Sequence, residues 1–109
     1  MGETRLMEST LQFLEEPLLG EQDLDTKVRL LLEAEYLRRL GRYRRLDRTL
    51  MQKYGITFEE FMERRVVQQK GYTWDVEKDA MDWETAMDGM RTMERKLQEL
   101  GQSGRVQHG

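Results

Sequence analysis

The chain has 109 residues, enough for one modest domain and too few for two ordinary ones. Its 38% hydrophobic content lies below the globular average and its 36% charged content well above it, the balance of helices that bury one narrow stripe and solvate the rest. The absence of cysteine excludes disulfides, thiolate nucleophiles and thiolate metal sites, and a formal net charge of −3 argues against a general polyanion binder.

No basic stretch at the start precedes an apolar run of about 7 to 15 residues, and no segment reaches the roughly 18 apolar residues that span a bilayer. Neither secretion nor membrane insertion is expected, and a cytoplasmic setting fits the lack of cysteine. Charge is segregated, with −6 over residues 1–35, +6 over 36–73 and −3 over 74–109. Opposed blocks of this kind can satisfy one another within a fold or across a dimer.

In chain order, Leu6, Met7, Thr10, Leu11 and Leu14 stand near helical spacing and predict a short helix over 4–16, stopped by Pro17 and Gly20. Asp23 or Asp25 caps a second helix. In it Val28, Leu32, Tyr36, Leu40, Tyr43, Leu46, Leu50 and Tyr54 recur at three and four, over about 30 residues and roughly 45 Å, until Gly55. Gly41, inside it, marks either a bend or a close helix crossing. Thr57-Phe58-Glu59-Glu60 is a capping box that opens a third helix. Phe58, Phe61, Met62 and Val66 carry that helix about three turns, to Gly71. Thr73 caps a fourth helix, with Asp75, Glu77 and Asp79 at its positive end and Arg91, Arg95 and Lys96 toward its negative end. Val76, Ala80, Trp83, Met87, Met90, Met93, Leu97 and Leu100 give it a heptad-like seam, closed by Gly101.

Two long and two short helices cannot bury their stripes separately. An antiparallel pairing of the second and fourth helices, with the third as connector, sets the basic stretch Arg38 to Lys53 beside the acidic stretch Asp75 to Asp88. The expected fold is an all-α, coiled-coil-like antiparallel helical hairpin over 21–100. A short helix and linker over 1–20 precede it and a flexible tail over 101–109 follows. A homodimer is expected, and a parallel pairing or an intertwined form of it stays open.

Residues 38–48 hold six arginines around Tyr43, a pattern that suits phosphate and base stacking, so Arg38, Arg42, Arg44 and Arg45 are candidate nucleic-acid contacts. Because Leu40, Tyr43 and Leu46 lie on the buried stripe, a solvated or internally paired arginine face is the favoured reading, ahead of nucleic acid or an acidic partner. Asp75, Glu77, Asp79, Asp82 and Glu84 include pairs on one helix face. They lack both the histidine of a helical di-iron site and the glycine-broken run of a calcium loop, so no metal or cofactor is expected. His108, the sole histidine, and Ser9 and Ser103 have no partner motif, and no catalytic residue is predicted. Phe58, Phe61, Tyr72, Trp74, Trp83, Met87 and Met90 are the candidate partner contacts, since Trp and Met are enriched at interfaces. For Trp83, Met87 and Met90, on the seam, a core role competes with that reading.

The run Lys53-Tyr54-Gly55-Ile56-Thr57-Phe58-Glu59-Glu60-Phe61, followed by Asp79-Ala80-Met81-Asp82-Trp83-Glu84, resembles a pattern in small prokaryotic antitoxins of helical type. There a long charged helix ends in a similar turn, and an acidic Asp-x-x-x-Trp helix follows. The resemblance covers residues 28–100, although the stretch Arg64 to Gly71 is longer and more basic than that pattern. It implies a cytoplasmic antitoxin paired with a small toxin, often an RNase or a nucleotidyltransferase-related protein. A self-associating coiled-coil adaptor is the alternative expectation, and an RNA-binding helix the third.

Overall fold

A computed structural model of the chain describes residues 7–15 and 23–108, with side chains up to Gln102. Residues 4–6 and 16 of the predicted first helix, its Pro17 and Gly20 stop, and Gly109 lie outside the described residues. Every regular element among the described residues is an α-helix, and none of these helices is long and apolar enough to cross a membrane. Residues 1–34 and 35–109 form two units, the division falling inside the second helix.

In the first unit, α1 (Glu8–Leu14) has no side-chain cap and buries only Leu14, which accounts for its seven residues. α2 (Leu24–Tyr54) then begins at Asp23, whose Oδ1 accepts a hydrogen bond from the Thr26 N–H at 2.8 Å. Asp23 is therefore the cap of the two candidates. Asp25 sits in the first turn, where it pairs with Arg29 at 2.9 Å.

In the second unit α2 stops at Gly55, which adopts φ 71° and returns its N–H to the Met51 carbonyl. The capping box forms as expected: the Glu60 N–H donates to Thr57 Oγ1 and the Thr57 N–H to Glu60 Oε1. The predicted three-turn helix that follows is in fact two short ones, α3 (Phe58–Glu63) and α4 (Val66–Gln69), separated by Arg65 at φ 51°. Geometry explains the break, because Phe61 and Val66 are both buried, yet five residues of continuous helix would turn them about 140° apart. The left-handed residue re-aims Val66 into the same core, and the Gln69 side chain donates to the Arg64 carbonyl left at the break.

α5 (Trp74–His108) runs through Gly101, where the sequence predicted a stop. The helix continues although Gly101 and Gly104 each cost it about 1 kcal/mol against alanine. α2 and α5 pack antiparallel, since facing residue numbers fall on one helix as they rise on the other. Tyr54 meets Asp79, Asp47 meets Trp83, Tyr43 meets Gly89 and Lys96 lies over the Tyr36 ring. Gly89, rather than Gly41, is the close crossing: a Cβ there would fall 2.5 Å from Tyr43 Cζ, whereas one at Gly41 would meet only the tip of Arg45, at 3.5 Å. Lys53–Asp79 and Arg44–Glu94 are ion pairs between the two helices. Other charges pair along their own helix, as in Lys78–Asp82 and Arg91–Asp88.

The core gathers where the hairpin turns. Leu50, Phe61, Val66 and Trp83 are its buried members, packed by Tyr54, Phe58, Val67, Val76, Ala80 and Met87 among others. Phe61 and Trp83 have no exposed surface, and their ring centroids stand 5.1 Å apart.

Candidate functional site

The two segments that carry the antitoxin resemblance lie against each other. Tyr54 and Phe61 meet edge to face at 5.0 Å, Tyr54 stacks on Trp83 at 6.0 Å and Phe58 tilts onto it at 5.6 Å. Polar bonds flank this cluster. The Trp83 Nε1–H donates to Asp47 Oδ1 at 2.8 Å, and Asp79 Oδ2 accepts from Lys53 Nζ at 2.5 Å and from the Tyr54 hydroxyl at 2.6 Å. Burial, and then the hydrogen bond to Asp79, pushes the Tyr54 phenol up to about 12. Burial opposes ionisation of Asp79, but the bonds from Lys53 and Tyr54 outweigh it and hold the carboxyl below its usual range.

These shifts take both groups further from neutral pH, the opposite of what proton transfer needs. The cluster works as a clasp that fixes the register of α2 on α5. The hollow under the Gly55 turn, about 300 Å³ between Met51 and Glu60, holds Glu60 as its one ionisable side chain, and the capping box already uses it. Among the described residues no three acidic or imidazole groups gather as metal ligands would. The side chain of His108 lies outside the described ones.

The expected partner contacts separate into two groups. Phe61 and Trp83 are wholly buried and present no surface, because the hairpin core closes over both. Phe58 and Met87 are partly buried against that core, and Met90 is partly buried further along the seam. Trp74 is 67% exposed and Tyr72 58% exposed.

Trp74 borders a groove of about 340 Å³ with Val67, Glu77, Ala80 and Met81. A second hollow of about 140 Å³, walled by Met62, Arg65 and Val66, shares Val67 and Ala80 with it. The two form one apolar furrow between α4 and α5, with exposed Met62 and Met81 at its lips and Arg65 and Glu77 as its charges. Sequence periodicity did not mark Met62 or Val67 for this surface. Met62 lies on α3 before the break, whereas the placement of Val67 follows from the left-handed Arg65.

The arginine run is largely occupied. Arg38 and Arg39 both bond Glu35, at 2.8 and 2.6 Å, and these bonds hold that carboxyl down at about 2. Arg44 pairs with Glu94 and Arg42 lies 5.7 Å from the centre of the Tyr43 ring. No aromatic side chain is left among them as a free stacking surface, since Tyr43 is packed on Gly89. Comparisons with protein-family models, with curated proteins and with solved structures each find no match to this chain.

Proposed function

We propose that the chain is a non-catalytic helical protein that binds another protein through the furrow between α4 and α5. The observation that carries this reading is the exposure of Trp74, Met62 and Met81 around one apolar furrow, in a fold whose core is already filled by Phe61 and Trp83. Large adaptable side chains left outside a complete core are the usual anchors of an interface. The resemblance of residues 53–61 and 79–84 to helical antitoxins supplies the partner class: a small toxin, neutralised in a cytoplasm by having its working surface covered.

The test is genetic and then physical. A neighbouring short reading frame should encode a product that arrests growth when this chain is absent, and co-expression of the chain should relieve the arrest. Trp74→Ser with Met81→Ser should abolish relief while leaving the helical circular dichroism of the chain unchanged. A neighbour that never affects growth, or full relief by the double variant, overturns the reading.

A further inference from the structure

The α5 side of the furrow continues beyond Met81. Trp74, Glu77, Met81, Glu84 and Asp88 follow one another at three and four, so they line one side of α5 over about 21 Å, or about four turns. Residues 74–88 carry a net −5. Part of that charge is neutralised inside the chain: Asp79 is held by Lys53, Asp82 by Lys78 and Asp88 by Arg91. Among the described residues no cation pairs with Glu77, which lines the furrow, or with Glu84, three residues past Met81. The facing wall carries the opposite sign. Arg65, exposed at the break between α3 and α4, has no carboxylate partner among the described residues.

These walls restrict what can enter. Both are helices whose backbone groups bond along the chain, so an extended strand laid between them would find no ladder partners, whereas a helix arrives with its own backbone bonds made. Val67, Ala80, Trp74 and Met81 take an apolar row, and the α5 side takes positive charge. We propose that the furrow receives an amphipathic helix of the partner, about four turns long, with its apolar row on Val67, Ala80 and Met81 and a flank of Lys or Arg facing Glu77 and Glu84. Arg65 on the other wall suits a carboxylate on the opposite flank, and the two signs together fix which way round the helix lies. This inference rests on the furrow being the contact surface and adds the chemistry of what fills it.

The probes are two dye-labelled synthetic peptides of about 14 residues with the same leucine row, one flanked by lysine and the other by glutamate, titrated with the full chain and read by anisotropy. The lysine peptide should bind one to one, and the glutamate peptide about tenfold more weakly, as two attractions turned into two repulsions imply. Trp74→Ser with Met81→Ser should abolish binding of both. Glu77→Lys with Glu84→Lys should reverse the preference while the helical circular dichroism is retained. Equal affinity for the two peptides, lost with Trp74 and Met81, would keep the furrow as a contact surface and overturn its selection of a basic helix. Lysine-peptide binding that survives the Trp74 and Met81 changes would be general attraction to an acidic chain, and would overturn the proposal too. So would a preference unmoved by charge reversal, or no binding of either peptide. Self-association of the chain in sedimentation that disappears with Trp74→Ser and Met81→Ser would put a second copy in the furrow and overturn it likewise. None of these readouts depends on growth relief, so they fail or succeed separately from toxin neutralisation.

Discussion

Trp74 and Trp83 occupy the same helix nine residues apart, and one is 67% exposed while the other has no exposed surface. Nine residues are about two and a half turns, so the two indoles leave α5 on opposite sides. Trp83 points where α2 and α3 close over it, and its Nε1–H finds Asp47; Trp74 points away from α2, over the furrow. Residue type therefore does not sort core from contact surface in this chain. Phase around α5 does, and the clasp of Asp79 with Lys53 and Tyr54 sets that phase against α2.

The comparison breaks most visibly at Trp83. Trp83→Ala should lower unfolding free energy by about 3–5 kcal/mol, from the cavity and the stranded Asp47 carboxylate, read as a fall in the urea midpoint. A loss below about 1 kcal/mol would mean that the hairpin does not depend on this ring. Gly89→Ala comes next, with an expected loss of about 1–3 kcal/mol because the new methyl drives into Tyr43 and overrides the gain in helix propensity. Gly41→Ala is the control on the facing helix and should be neutral or stabilising by up to about 1 kcal/mol.

Asp79→Asn sharpens the account of the clasp. It should cost about 1–2 kcal/mol at neutral pH, as a charge-assisted bond is exchanged for neutral ones. Asp79 titrates lower in the folded chain than in the unfolded one, so its contribution is fully present above the unfolded value of 3.8 and is lost as pH falls through the folded value. Urea midpoints of the native chain should therefore decline more steeply in acid than those of Asp79→Asn. At the alkaline end Tyr54 is raised, so its contribution is intact below pH 10 and lost by about 12; its ultraviolet titration should move toward 10 in the same variant. The smallest effect is expected at Trp74. Trp74→Phe should change stability by no more than about 0.5 kcal/mol while shifting fluorescence to the blue, because the remaining indole is buried. Unshifted emission would place Trp83 in water and contradict the fold.

Much of the fold was legible because it rests on local rules. The three-and-four spacing from Val28 to Tyr54, the left-handed Gly55 and the Thr57–Glu60 box each act within a few residues, and each appears as predicted. The antiparallel pairing followed from the charge blocks, although Lys53–Asp79 and Arg44–Glu94 are supplemented by pairs within single helices that the block argument did not distinguish. The candidate site was half legible. Tyr72 and Trp74 were marked by type and position, but so were Phe61 and Trp83, which turned inward.

Composition, helical period and capping chemistry by themselves determined an all-α chain, the start of each principal helix and the apolar seam of α5. Only tertiary packing decided that Arg65 breaks the third helix and that Gly89 and not Gly41 is the crossing. The reason is one of range. Caps and periods are set by neighbours within a turn or two, whereas which side of a helix is covered depends on residues thirty or more positions away, as Asp47 is from Trp83.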